Sequence, residues 1–164
     1  MTKAMFEEFD TLDFPTLTAI RSSSTDYLAG AYVYVIFWAA PGGPEIPFYV
    51  GQTEQSLRNR MWDYCSAQFQ ASTDFWVGEA IKYLREEKGC RITLRHRTTT
   101  ESRKDEEDLI RELQVSGPRL LNGLKRHRYQ TDEREAERCF IHRFCDLIVS
   151  TGCGSNTDNQ LFSK

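Results

Sequence analysis

We predict a small α/β domain, because short apolar segments typical of strands are followed by longer amphipathic helices. Residues 30–38 are apolar or aromatic on both faces, as in a central strand that is covered on both sides. Residues 46–50 follow a Pro-Gly-Gly-Pro turn and predict a second strand, most simply antiparallel to the first. Residues 91–97 alternate arginines with apolar residues, which predicts an edge strand with one face in water.

Four helices complete the predicted domain. Thr53 is a candidate N-cap for a helix that runs to about residue 69, and Gly89 ends a second helix over residues 74–87. Two more are predicted over residues 103–114 and 132–149, the latter with an apolar stripe. The expected organisation is an N-terminal extension over residues 1–28, a core over residues 29–125, and a C-terminal helix and tail over residues 126–164 that pack on the core.

Composition and charge limit the class of protein. A chain of 164 residues is long enough for one globular domain with a sizeable core. No apolar run is long enough to cross a bilayer and the N-terminus lacks the apolar stretch of a signal peptide, so no membrane association is expected. Five cysteines, an odd number without a CxxC pair, favour a reducing cytoplasm. The formal net charge of −3 is unusual for a nucleic-acid-binding protein, but residues 119–128 carry four bases and no acid, as in a phosphate-binding patch or a solvated loop.

One acidic residue of the third predicted helix lies on its apolar face. Glu106 precedes Leu109, Ile110 and Leu113 by three, four and seven residues, so all four share one side of the helix. A carboxylate that faces a core is costly unless it is paired or binds a metal. Glu106 is therefore a candidate ligand for a divalent cation, unless it is simply solvated in the first turn, near the favourable helix N-terminus.

An ordered set of short motifs runs through the predicted core. They are Gly30-Ala31-Tyr32, Tyr49-Val50-Gly51, Leu57-Arg58-Asn59-Arg60-Met61, Glu106-Glu107-Asp108-Leu109-Ile110 and Gly117-Pro118-Arg119-Leu120-Leu121-Asn122. In this order and spacing, the set resembles the GIY-YIG nuclease superfamily over roughly residues 30–122. The sequence departs from the family pattern at Ala31, in a long Pro/Gly-rich insertion between the strands, and in one extra residue before Arg60.

The resemblance implies a small three-stranded antiparallel sheet flanked by helices, and a metal-dependent endonuclease site. The catalytic residues that it implies are Tyr32, Tyr49, Arg60, Tyr64, Glu106 and Asn122, with Arg58 as the alternative to Arg60. Glu106 would hold one Mg²⁺ or Mn²⁺ ion per active site, and Arg60 would contact the scissile phosphate. Tyr32 or Tyr49 would take a proton from the attacking water. The motif and the helical-face argument thus select the same glutamate.

The expected substrate is DNA, with RNA left open. The candidate contacts to the phosphate backbone are Arg58, Arg119, Lys125, Arg126 and Arg128. A homodimer would supply two active sites for cutting both strands. Two alternatives remain: a nuclease-like domain that binds nucleic acid but no longer cuts, and a protein-interaction domain on a similar scaffold.

Overall fold

A computed structural model describes residues 2–15, 17–23, 27–66, 72–123 and 134–152. Within them, four antiparallel strands form one sheet in the order β1-β4-β2-β3, with helices on both faces. The strands are β1 (Asp10–Asp13), β2 (Tyr32–Ala39), β3 (Ile46–Thr53) and β4 (Arg91–Thr98). The helices are α1 (Thr2–Met5), α2 (Leu17–Ser22), α3 (Leu57–Cys65), α4 (Ser72–Glu86), α5 (Ser102–Ser116) and α6 (Arg134–Thr151), with a 3₁₀ turn at Leu121–Gly123.

The predicted α/β class is confirmed, but the prediction of three strands is wrong. The fourth strand, β1, comes from the predicted N-terminal extension and pairs with β4, where Asp10 lies opposite His96. The same segment places Phe6, Phe14 and Ile20 in the core. The interrupted sequence of this segment hid its strand, which is only four residues long and depends on β4 for its hydrogen bonds.

Strand β4 corrects a second prediction. It was expected at an edge of the sheet, but it lies between β1 and β2. Arg91 is exposed, but aromatic side chains cover part of Arg95 and Arg97, so this face of the strand is not fully in water. The guanidinium of Arg95 lies 5.5 Å from the ring centre of Phe6 and 4.8 Å from that of Phe37, while that of Arg97 lies 5.4 Å from Phe9. Arginine can be covered in this way because its flat cation stacks on aromatic rings.

Strand β2 divides the core into two layers. All eight of its residues are buried, and it pairs with β3 and β4, which confirms the predicted central strand and its antiparallel partner. Tyr34, Ile36 and Trp38 pack on one face with residues of α3, α4 and α6. The alternate residues Val35 and Phe37 pack on the other face with residues of α5 and with Phe6.

The helix limits differ from the prediction mainly around α3. Its N-cap is Ser56 instead of Thr53, and the Ser56 hydroxyl accepts a 2.9 Å hydrogen bond from the backbone N–H of Asn59. The helix ends at Cys65, and the next residue is extended. Gly89 follows α4 with a left-handed φ of +64°, as its stop-signal role predicts. No helix in the described parts of the chain has the length and apolar character needed to cross a membrane.

Candidate active site

The side chain of Tyr34 lies across the neighbouring strand. Tyr34 on β2 is paired with Gly51 on β3. A Cβ atom on Gly51 would lie only 2.5 Å from Cζ and 2.7 Å from Cε2 of Tyr34, closer than real Cβ contacts allow. Glycine is therefore required here by space, and its missing side chain lets the Tyr34 hydroxyl lie over β3.

Helix α3 brings two further side chains to this hydroxyl. Arg60 and Tyr64 are four residues apart and share one face of the helix. The hydroxyl oxygens of Tyr64 and Tyr34 are 2.5 Å apart, and the Tyr64 ring packs edge-on against Tyr49, with 6.3 Å between ring centres. The guanidinium carbon of Arg60 lies 5.6 Å from the centre of the Tyr64 ring. We call Tyr34, Tyr49, Tyr64 and Arg60 the tyrosine cluster.

Burial controls the ionisation of the cluster. It raises the pKa of the Tyr34 hydroxyl well above its usual range, and it does the same for Tyr64. Both phenols therefore keep their protons at neutral pH. Burial opposes the charge of Arg60, but the neighbouring phenols and the Asp74 carboxylate raise the pKa of Arg60 above its usual range. The guanidinium is thus a permanent cation, 3.1 Å from Asp74 and 3.6 Å from Asp63.

The structure does not place Tyr32 in this cluster. The ring of Tyr32 packs edge-on against His96, with 5.5 Å between ring centres. Tyr34, which the sequence analysis did not select, takes the position beside Arg60 and Tyr64. In the sequence, Gly51 of the second motif indicated that a side chain could lie close to this strand. Only the strand register shows that this side chain is the one of Tyr34.

Asn122 supports the free edge of β3. Its Oδ1 accepts a 2.9 Å hydrogen bond from the backbone N–H of Val50, and its Nδ2 donates a 2.7 Å hydrogen bond to the carbonyl of the same residue. The side chain thus replaces a neighbouring strand at the residue between Tyr49 and Gly51. The chain turns around the edge here, since Leu120 packs in one core layer and Leu121 in the other. Asn122 therefore holds the strand segment that carries Tyr49 and Gly51.

Glu106 lies on α5, where the helical pattern predicted. Leu109 and Leu113 are buried, Glu106 is half-buried and Glu107 is exposed. Helix α5 packs on the sheet face opposite to α3. Across the described residues, no three His, Cys, Asp or Glu side chains are grouped to hold a metal ion. A single carboxylate is nevertheless sufficient for Mg²⁺, which keeps several of its water ligands.

The predicted phosphate contacts have different environments. Arg58 is used within the fold, since its guanidinium donates hydrogen bonds of 3.0 Å to the Ser23 hydroxyl and 3.1 Å to the Ile20 carbonyl. These bonds fasten α3 to the segment around α2, and they leave Arg60 as the arginine of the cluster. Arg119 is half-buried after α5. Lys125, Arg126 and Arg128 lie outside the described residues.

Comparison with known proteins finds no match among family models, curated proteins or solved structures. The similarity to GIY-YIG nucleases is therefore based on the ordered motifs of the sequence. In the structure, residues from two of those motifs lie together in the tyrosine cluster. Tyr49 comes from the second strand motif, and Arg60 comes from the helix motif.

Proposed function

We propose that this chain is a metal-dependent endonuclease of the GIY-YIG type that hydrolyses phosphodiester bonds in DNA. The observation that supports this proposal is the tyrosine cluster, in which Arg60 lies with three tyrosines, one of them over Gly51. A permanent, partly exposed cation held by aromatic side chains is suited to bind a phosphate through its planar donors. The two hydrogen bonds between Asn122 and the Val50 backbone hold the strand that carries Tyr49 and Gly51.

The members of the cluster divide between the proposed reaction and the support of α3. Arg60 binds the scissile phosphate and stabilises the negative charge that develops on it. Tyr34 and Tyr64 stay protonated and hold α3 against the sheet. Between the two tyrosines considered for proton removal, Tyr49 is better placed than Tyr32, because Tyr49 packs within the cluster against Tyr64, whereas Tyr32 packs against His96.

Glu106 would hold one Mg²⁺ or Mn²⁺ ion, which when bound supplies charge stabilisation at the phosphate and lowers the pKa of a bound water. Arg60 and Glu106 are on helices that pack on opposite faces of the sheet. We therefore propose that a phosphate on which both residues act lies at the free edge of β3. The Tyr34 hydroxyl already lies over this strand, and Asn122 borders it.

A second candidate function is a nuclease-like domain that binds nucleic acid without cutting it. Two observations favour it: Arg60 is already ion-paired to Asp74, and the Tyr34 and Tyr64 phenols are buried with raised pKa values. Such a domain would keep the basic contacts and the fold of the cluster. It would differ from the first candidate only in the absence of cleavage.

The deciding experiment is cleavage of supercoiled plasmid by the purified protein with Mg²⁺, with Mn²⁺ and with EDTA. Arg60→Ala and Glu106→Ala are compared with Glu107→Ala, a matched control on the exposed side of α5. We expect metal-dependent nicking or linearisation that the first two substitutions abolish and the control preserves. Cleavage that survives Glu106→Ala would contradict the proposed metal ligand. Binding of DNA without cleavage by any preparation would favour the second candidate.

A further inference from the structure

Asp74 forms an ion pair with Arg60. It lies in the first turn of α4, and its Oδ1 is 3.1 Å from Nη1 of Arg60. The contact joins two helices and is the shorter of the two ion pairs that Arg60 makes in the described residues. Any phosphate that approaches this guanidinium meets a nitrogen that already contacts the Asp74 carboxylate.

The Asp74 carboxylate is poorly satisfied where it lies. Its side chain is only 13% exposed, and its Oδ1 is buried without a hydrogen bond from the described residues. The contact with Arg60 is thus an ion pair that lacks the geometry of a hydrogen bond. Burial raises the pKa of this carboxyl although Arg60 opposes the rise. A phosphate that accepts aligned hydrogen bonds from the same guanidinium is a stronger partner for Arg60 than this carboxylate.

Asp63 is a second carboxylate near Arg60, and it can be compared with Asp74. It lies on α3 itself, 3.6 Å from the same guanidinium nitrogen, and its side chain is 45% exposed. An exposed carboxylate at this distance contributes little, because solvent screens the charges. The two aspartates therefore carry the same charge near Arg60 but differ in burial and in distance.

We propose that the Asp74 carboxylate occupies the position that a substrate phosphate takes beside Arg60, so that nucleic acid binds by displacing it. This inference rests on the proposed function, because it assigns Arg60 to the phosphate. It makes Asp74 a residue that sets the affinity of the site. A purely structural Asp74, which only stabilises the start of α4, would instead leave the affinity for phosphate unchanged.

The first test measures binding of a fluorescein-labelled DNA duplex in EDTA, where no cleavage is required. The proteins are wild type, Asp74→Asn, Arg60→Gln, the double variant and Asp63→Asn as the matched control. We expect Asp74→Asn to lower the Kd by about three- to tenfold and Asp63→Asn to change it by less than about twofold. The gain should disappear in the Arg60→Gln background. An equal gain in that background would overturn the proposal, since it would reflect net charge alone.

The second test uses inorganic phosphate and keeps the inference separable from the nuclease proposal. Phosphate stabilises whichever state binds it, so its effect on the Tm reports binding at the cluster. We expect a larger rise in Tm for Asp74→Asn than for wild type, and none of this increment in the double variant. This result would support displacement even if no DNA is bound, whereas equal rises in wild type and Asp74→Asn would overturn it. Asp74→Ser, which keeps a residue suited to a helix start, replaces Asp74→Asn if that variant does not fold.

Discussion

The hydroxyl oxygens of Tyr34 and Tyr64 are 2.5 Å apart, and this hydrogen bond joins β2 to α3. Tyr34 is 1% exposed and Tyr64 is 3% exposed, so water has little access to either phenol. Each hydroxyl provides the other with a hydrogen-bond partner in a place that water hardly reaches. The bond therefore helps to fix α3, and with it Arg60, against the sheet.

The losses of unfolding free energy from removing the two hydroxyls of this pair should not be additive. We expect Tyr34→Phe and Tyr64→Phe each to lower the free energy of unfolding by about 1–3 kcal/mol, because each leaves a buried hydroxyl without its partner. The double variant should lose clearly less than the sum, as urea unfolding of all four proteins would measure. Additive losses would mean that the two hydroxyls do not depend on each other.

Gly51→Ala should test the close approach of Tyr34. The added methyl group meets the ring, so we expect a loss of about 1–3 kcal/mol or more in unfolding free energy. In a Tyr34→Val background the ring is absent and the same substitution should cost much less. Thermal and urea unfolding of the four proteins measure this. A loss that is equally large in both backgrounds would assign the cost to backbone conformation instead.

The sequence predicts some of these relationships better than others. The burial of β2 was readable because both of its faces are apolar, and Glu106 was placed by helical periodicity alone. The sequence did not predict that Tyr34 belongs to the cluster, because its position over Gly51 depends on strand register. Register is fixed by tertiary packing and the turn between strands, and no local pattern in β2 distinguishes Tyr34 from Tyr32.

The position of β4 was missed for a related reason. An alternation of arginine and apolar residues normally indicates a face in water, and that rule does not foresee a distant segment that covers it. Phe6 and Phe9 do so from the N-terminus, where the irregular sequence predicted only an extension. Long-range coverage of this kind is decided by which segments meet in three dimensions.

Phe6→Ala should therefore be strongly destabilising, although it lies near the N-terminus. Phe6 is 4% exposed and packs edge-on against Phe9 and Phe37. We expect a loss of about 3–5 kcal/mol in unfolding free energy, as for other buried phenylalanines. Thr11→Ala, at an exposed position of β1, is the control and should cost much less. A small loss for Phe6→Ala would mean that this segment contributes little to the fold.

Asn122→Asp distinguishes a structural role from a chemical one. The substitution keeps an acceptor for the Val50 N–H but places a carboxylate oxygen against the Val50 carbonyl. We expect unfolding free energy to fall by about 1–3 kcal/mol, since a hydrogen bond is lost and two acceptors face each other. If Asn122 served the chemistry alone, cleavage would be lost while urea unfolding stayed at the wild-type value.

His96 gives the stability of the fold a pH dependence of known sign. Its imidazole is buried in β4, and this burial lowers its pKa below the usual value of about 6.5, although Asp10 opposes the shift. The unfolded chain therefore takes up a proton at higher pH than the folded protein, so stability is retained above about pH 6.5 and declines as the pH falls below it. We expect His96→Phe to lose less unfolding free energy than wild type between about pH 7.5 and pH 5, as urea unfolding at each pH would measure. An equal decline in both proteins would show that burial of His96 does not set this dependence.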